Sequence, residues 1–423
     1  EIITSFKNCR RCAQPLGQPL HIGMFDFHVA SMAGSISADL LELPVPQPPL
    51  LKMSEDAICL VGKQLRNPLQ PSMFVSFASN CRAVREALHT ELQELERLHN
   101  AARALCTQNN STCSTIKDTD QLKWSSKKMG DIDCKVFAQI IASGAMAKLT
   151  FLDLSHNHIS DMGLNLFSNE LAMGALPQLK KLYLGSNQIA DEGLKSFAEA
   201  LGRGAITQLE VLDLCFNKLR DGFKSLSYTL AMGAVPQLTL LNLAKNRISD
   251  VSIATFADAL GRGALSQLLR LDLDDNQISD IGLKSFVDAL AMGVLLQLVE
   301  LWLNRNQIGD AGLSSLSEAL SMGALPRLQQ LGLLCTNIRD NGLKAFAKSL
   351  GKGSLPKLTH LYLRSNQIAS AGIQSFAEAL AIGALASLQN LFLHTSGFIA
   401  EHPMNATQLK TACESRNILL ALE

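Results

Sequence analysis

Few side chains in this sequence stand at spacings that could do chemistry, and each such group implies a definite kind. Cys9-Arg-Arg-Cys12 has the two-residue gap of a zinc knuckle, but a tetrahedral site needs four ligands and no second pair follows. It is read as two free thiols. Asp272, Asp274 and Asp275 offer the hard oxygens that calcium takes. An extended strand spreads such ligands instead of wrapping them round an ion. His156 and His158 flank Asn157 in a turn and are expected to be solvated. His360 and His394 fall on successive copies of a repeat four positions out of register, which separates them by more than about 10 Å. The phosphate-cradling G-x-x-x-x-G-K-[ST] loop, the G-x-S-x-G nucleophile elbow and the H-E-x-x-H zinc helix do not occur. The sequence therefore predicts no catalytic residue, no metal site and no cofactor, and a protein that is not an enzyme.

The elements that carry these residues come from one repeated unit. Copies open at Leu152, Leu182, Leu212, Leu241, Leu271, Leu301, Leu331, Leu361 and Leu391, with one residue missing between Asp221 and Phe223. A disguised copy aligns upstream as Leu122-Lys-Trp124, Met129, Asp131, Phe137 and Ile141. Each unit begins Leu-x-Leu, an alternation that builds a short strand with both leucines on one face. An Asn follows at 157, 187, 217, 246, 276, 306 and 366. Its amide holds donors and an acceptor, so stacked Asn side chains can satisfy the backbone of consecutive turns. Thr336 and Ser396 replace it, which predicts looser turns there.

Asp161, Asp191, Asp221, Asp250, Asp280, Asp310 and Asp340 precede apolar runs of helical period such as Leu283, Phe286, Val287 and Leu290, and are read as N-caps. Each helix ends on a Gly suited to a left-handed C′ position, as in Gly174-Ala-Leu-Pro177. Strands pack about 4.8 Å apart and helices about 10 Å apart, so the stack must curve with the strands inside. The expected fold class is α/β: a curved solenoid with a parallel concave sheet and convex helices, preceded by a small helical region.

A period near thirty residues with Leu-x-Leu, Asn and a full helix resembles the ribonuclease-inhibitor class of leucine-rich repeat proteins. That class is also seen in the Ran GTPase-activating protein and in the sensor ends of nucleotide-binding immune receptors. The resemblance implies the horseshoe fold. For function it spans inhibitors, sensors, activators and scaffolds.

The predicted organisation is an irregular, Pro-containing segment at 1–50, a small helical region at 51–121 and the repeat domain at 122–423, with capping units at 122–149 and 398–423. Pro44-Val-Pro-Gln-Pro-Pro49 reads either as a stiff linker or as a ligand for a proline-binding domain. From Ser79 to Leu105 the pattern is helical, with Val84, Leu88, Leu92, Leu95, Leu98, Ala102 and Leu105 on one side. The stretches from Met53 to Val61 and from Phe77 to Arg85 resemble the ends of an F-box, a module that docks on cullin-type ubiquitin ligases. Met53-Ser54 stands where an F-box has Leu-Pro, and Leu43-Pro44 lies too far from Cys81.

Lys plus Arg and Asp plus Glu are 38 each, so no net field draws the chain to nucleic acid or to an anionic membrane. No apolar run reaches the length of a membrane span. Ten scattered cysteines without a repeated spacing fit reduced thiols, which places the chain in the cytoplasm, with the nucleus as the alternative. A monomer is expected. The first residue is Glu1, and a targeting signal upstream of it would lie out of view.

Function is sought where the repeats differ. Between the two strand leucines stand Asp153, Tyr183, Asp213, Asn242, Asp272, Trp302, Gly332, Tyr362 and Phe392. Gly and Asn occupy the column as well as Trp and Tyr, so aromatics there answer to no folding need, and exposed aromatics are common binding anchors. The expected partner-binding residues are Tyr183, Asp213, Asp272, Asp274, Asp275, Glu300, Trp302, Arg305, Tyr362 and Arg364, with an acidic half meeting a basic surface on the partner. The leading reading is a protein-binding scaffold or sensor acting through its concave face. The alternatives are an F-box-like substrate receptor and a GTPase-activator-like regulator.

Overall fold

The computed structural model describes residues 89–117, 119–350, 353–393 and 403–422. Cys9, Cys12, the Pro-rich stretch, the F-box-like stretches, His394 and Ser396 lie outside the described residues. The chain divides into two units, residues 1–103 and 104–423. Helix α1, His89–Gln108, spans that boundary. It ends three residues beyond the sequence reading.

The second unit continues with the short helix α2, Cys113–Lys117, and then alternates strand and helix. The strands are β1 (Gln121–Lys123), β2 (Phe151–Asp153), β3 (Lys181–Tyr183), β4 (Val211–Asp213), β5 (Leu240–Asn242), β6 (Arg270–Asp272), β7 (Glu300–Trp302), β8 (Gln330–Gly332), β9 (His360–Tyr362), β10 (Asn390–Phe392) and β11 (Leu419–Ala421). The helices between them are α3 (Asp131–Ala142), α4 (Asp161–Ala172), α5 (Asp191–Gly202), α6 (Gly222–Ala231), α7 (Asp250–Gly261), α8 (Asp280–Ala291), α9 (Asp310–Ser321), α10 (Asp340–Leu350), α11 (Ser370–Ala381) and α12 (Pro403–Glu414). The strands form one 11-stranded parallel sheet in chain order. Its register sets leucine against leucine, as with Leu271 and Leu301. This is the expected curved α/β solenoid.

The core lies between sheet and helices. Leu152, Leu182, Leu212 and Leu241 are 0% exposed, and α3 to α8, α10 and α11 each add a buried phenylalanine ring. These rings stack from repeat to repeat, with centroids 6.0 Å apart for Phe137 and Phe167, 6.5 Å for Phe256 and Phe286, and 6.4 Å for Phe346 and Phe376. Leu316 takes the place of Phe in α9.

The Asn residues form the expected ladder. Nδ2 of Asn187 donates to the carbonyls of Leu184 in its own repeat and Leu154 in the one before, both at 3.0 Å, while its Oδ1 accepts from Ile159 N–H at 3.0 Å. Where Thr336 replaces Asn the turn does not loosen, contrary to the sequence expectation. Cys335 keeps the left-handed φ of 54° that Ser186 (55°) and Arg305 (55°) adopt at the same place. The Thr336 hydroxyl reaches Leu333 O at 3.1 Å and Asn366 Oδ1 at 2.7 Å, which ties the turn to the following rung.

The Asp residues require a correction. Asp161, Asp191, Asp250, Asp280 and Asp310 are the first residues of their helices, and the cap is the residue before each: Ser160, Ala190, Ser249, Ser279 and Gly309. One position into the helix, the carboxylate faces the next repeat and accepts the N–H of that repeat's cap residue. Examples are Asp161 Oδ1 with Ala190 N–H at 2.6 Å and Asp250 Oδ1 with Ser279 N–H at 2.7 Å. The approach is close enough that a Cβ on Gly193 would stand 2.6 Å from Asp161 Oδ1, which explains the Gly two residues after Asp161, Asp191, Asp280, Asp310 and Asp340.

Asp221 alone is a cap. The residue missing after it moves it out of the ladder, and its exposed carboxylate pairs with Lys224 at 2.8 Å. One repeat on, the glycine position is correspondingly filled by Ser252, whose hydroxyl donates to Arg220 O at 3.1 Å.

Candidate functional site

Strand alternation sends the leucines into the core and residues 270, 272 and 274, 300, 302 and 304, and 360, 362 and 364 to the open face of the sheet. The parallel register then lays Asp213, Asn242, Asp272, Trp302, Gly332, Tyr362 and Phe392 side by side. The sheet therefore assembles one surface from side chains about thirty residues apart in sequence.

Its centre is an aromatic shelf. Trp302 and Tyr362 have ring centroids 5.2 Å apart, and Tyr362 and Phe392 lie parallel at 4.6 Å. Trp302 and Tyr362 are two strands apart, a separation of about 10 Å along the sheet. Contact is made because residue 332 has no side chain. A Cβ on Gly332 would stand 2.6 Å from Cε3 of Trp302 and 2.7 Å from Nδ2 of Asn304. His360 flanks the shelf at 6.3 Å from the Tyr362 ring and is tied to Asn390 and Thr359 at 2.9 Å each. The Arg364 guanidinium lies 5.5 Å from the Phe392 ring, and its buried Nε has no hydrogen-bond partner among the described residues.

Beside the shelf the carboxylates are engaged within the sheet. Arg270 pairs with Asp272 at 3.1 Å and with Glu300 at 3.2 Å, and its guanidinium carbon lies 5.9 Å from the Trp302 ring. Glu300 also accepts the indole N–H of Trp302 at 3.2 Å, which fixes the ring orientation. Asp274 accepts Asn304 N–H at 2.7 Å and Nδ2 of the same residue at 2.8 Å. Burial pushes the Asp274 carboxyl up to about 6, against the lowering pull of Asn304. Burial also raises Asp272, opposed by the Asp274 backbone N–H and by Arg270. Tyr362 is raised by burial and by the neighbouring Glu300.

The structure thus brings Asp272, Asp274, Glu300, Trp302, Tyr362 and Arg364 into one patch. Asp275 and Arg305 stand in the turns that follow, at φ 53° and 55°, with Arg305 exposed. Tyr183 and Asp213 belong to a neighbouring group. Tyr183 packs on Phe151 at 5.3 Å, and Asp213 accepts from Asn242 at 3.1 Å. Asn242 is in register with both Asp213 and Asp272 and links the two groups.

Sequence reasoning left out Arg270 and Phe151 altogether, and named Gly332 and Phe392 in the variable column without counting them among the partner-binding residues. Arg270 was legible in principle, because a parallel register with leucines aligned sets it directly opposite Glu300. Gly332 was read as proof that the column has no steric demands. It is instead the vacancy into which Trp302 leans.

Among the described residues no three His, Cys, Asp or Glu side chains converge to hold a metal ion. No described helix is long and apolar enough to cross a membrane.

Family models agree with this architecture. Residues 147–196 match a model of leucine-rich repeats in two copies, and residues 266–287, 298–317 and 354–377 match a leucine-rich-repeat model of single units. Comparison with curated proteins gives no match. Among solved structures the chain is similar to an internalin, InlF, of Listeria monocytogenes, at 21% identity over 77% of this chain and 87% of that one, with a TM-score of 0.43. It is also similar to the functional domain of InlJ from the same organism, at 16% identity over 69% of this chain and 54% of that one, with a TM-score of 0.39. A third similar structure is the leucine-rich-repeat ectodomain of the Arabidopsis receptor kinase HAESA, in complex with a peptide hormone. There the identity is 17%, over 65% of this chain and 38% of that one, and the TM-score is 0.38.

Proposed function

We propose that this chain is a non-enzymatic interaction scaffold or sensor of the ribonuclease-inhibitor type, and that it binds a partner protein on the concave face over Trp302, Tyr362 and Phe392. The observation that carries this reading is the shelf itself. Three large rings are held half-buried and in mutual contact on the solvent side of a sheet whose leucine face already supplies the core. Rigid aromatics that keep an exposed face lose little entropy on binding, and such residues dominate interface energies. Since Arg270 already holds Asp272 and Glu300, an apolar projection of the partner over the shelf supplies the affinity. The flanking ion pairs and Arg305 orient it.

Proximity labelling of the full chain, followed by binding measurements with each protein found, tests the reading. Trp302→Ala with Tyr362→Ala is expected to abolish capture of at least one partner while leaving the unfolding transition in place. A double variant with an unchanged set of partners overturns it.

A further inference from the structure

Cys106 near the end of α1 and Cys113 at the start of α2 have their sulfurs 3.9 Å apart, close to van der Waals contact. Cys106 is 1% exposed, whereas Cys113 is half-buried and reachable from solvent. The chain between them is a tight turn. Asn110 adopts φ 55°, Ser111 N–H returns to Cys106 O at 2.8 Å, and Asn109 Nδ2 donates to Leu105 O at 2.7 Å. The two thiols are therefore presented to each other by a fixed backbone.

We propose that Cys106 and Cys113 form a dithiol site that small disulfides of the glutathione type oxidise to an intramolecular disulfide. The Cys113 thiolate attacks one sulfur of glutathione disulfide. The S–S bond breaks and the first glutathione leaves as a thiolate that takes up a proton, so that Cys113 carries a mixed disulfide. Cys106 then gives its proton to solvent, attacks the Cys113 sulfur and expels the second glutathione. Two protein thiols are oxidised and one glutathione disulfide is reduced to two thiols. The division of roles follows exposure, since only Cys113 is open to the incoming disulfide. The hydrogen bond with Cys113, and then burial, raise the Cys106 thiol well above its ordinary range. The closing step is accordingly the slower one, and the mixed disulfide builds up before it resolves.

The location gives the bond a consequence. Ser111, inside the loop that the disulfide would close, receives the indole N–H of Trp124 at 3.4 Å. Trp124 is 1% exposed and packs on Phe137 at 5.5 Å. This is the end unit of a stack in which every interior unit leans on two neighbours and the end unit on one. A covalent tie between α1 and α2 fastens the turn that covers it.

The test is incubation of the native full chain with glutathione disulfide over a range of ratios to glutathione, followed by alkylation and peptide mass spectrometry. The expected result is transient glutathione on Cys113, then a peptide in which Cys106 and Cys113 are joined. Cys106→Ala should hold the glutathione adduct on Cys113 without resolving it, and Cys113→Ser should leave Cys106 unmodified. The proposal is overturned if wild-type protein that retains its native unfolding transition keeps both residues as thiols. A wild-type mixed disulfide that never closes overturns it equally, as does glutathione on Cys106 in Cys113→Ser. Because the wild-type measurement is sufficient, misfolding of either variant leaves the outcome decidable.

Discussion

The indole of Trp302 touches the ring of Tyr362 across an intervening repeat, at a centroid distance of 5.2 Å, and Gly332 is what lets it do so. The glycine leaves open space between two aromatic walls, so the shelf depends on a residue with no side chain to offer. Gly332→Ala would place a methyl group 2.6 Å from Cε3 of Trp302 and drive the indole off Glu300 and Tyr362. The expected cost is about 1–3 kcal/mol of stability, with a changed Trp302 emission spectrum in a Trp124→Phe background. An unaltered spectrum would show that the shelf is not set by residue 332.

The carboxylates between repeats should be far more sensitive than the one that left the ladder. Asp250 accepts both the N–H and the hydroxyl of Ser279, at 2.7 and 2.5 Å. Asp250→Ala is expected to cost about 1.5–3 kcal/mol in urea unfolding, the range for hydrogen bonds to a charged group. Asp221 is 70% exposed and bonded only to Lys224, so Asp221→Ala should change stability by less than about 0.5 kcal/mol. Equal losses at the two sites would refute the ladder.

Asn217 is buried, and its amide serves Leu184 O, Leu214 O and Ile189 N–H at 3.0, 3.1 and 3.0 Å. Asn217→Ala strips three buried backbone groups at once and should cost about 2–4 kcal/mol. Thr336→Asn, in contrast, restores a full amide to an interior rung that lacks it, and is expected to add about 0.5–1.5 kcal/mol. Equilibrium denaturation of the two variants checks both signs.

Asp274 makes stability depend on pH in a direction opposite to that of an ordinary salt-bridged carboxylate. Its folded value of about 6 lies above the ordinary 3.8, so the folded chain holds this proton more tightly than the unfolded chain. The charged form burdens the fold above pH 6, and that burden is relieved as pH falls from about 6 toward 4. Asp274→Asn cannot titrate. The stability difference between wild type and variant should therefore shift in favour of the wild type over that interval and be constant above pH 7. A difference that is flat throughout would place the residue in solvent.

Much of this arrangement was legible in the residues themselves. The Leu-x-Leu, Asn and Gly columns prescribe strand, turn and helix end, because each answers a local need that recurs at every copy. The Asp column was misread for a physical reason: an acid before a helix is locally an N-cap, and only the neighbouring repeat reveals that its bond runs sideways to Ala190 or Ser279. The same limit applies at the candidate site. Trp302 and Tyr362 stood out by size, whereas Arg270 and Gly332 matter through what the adjacent strands place beside them. Pairings of that kind become visible only once leucines are set against leucines across the sheet.

The residue missing after Asp221 has a mechanical meaning. From α3 to α10 carboxylate straps run from one unit to the next, except at the seam between the units that carry Asp221 and Ser249, where a lone Ser252 hydroxyl stands in for them. A rod fastened evenly along its length parts at its ends, but a rod with one weak joint has a chosen fracture line. On partial heating the solenoid is expected to open between α6 and α7 before it opens between α7 and α8, which would leave the aromatic shelf of Trp302, Tyr362 and Phe392 on one piece.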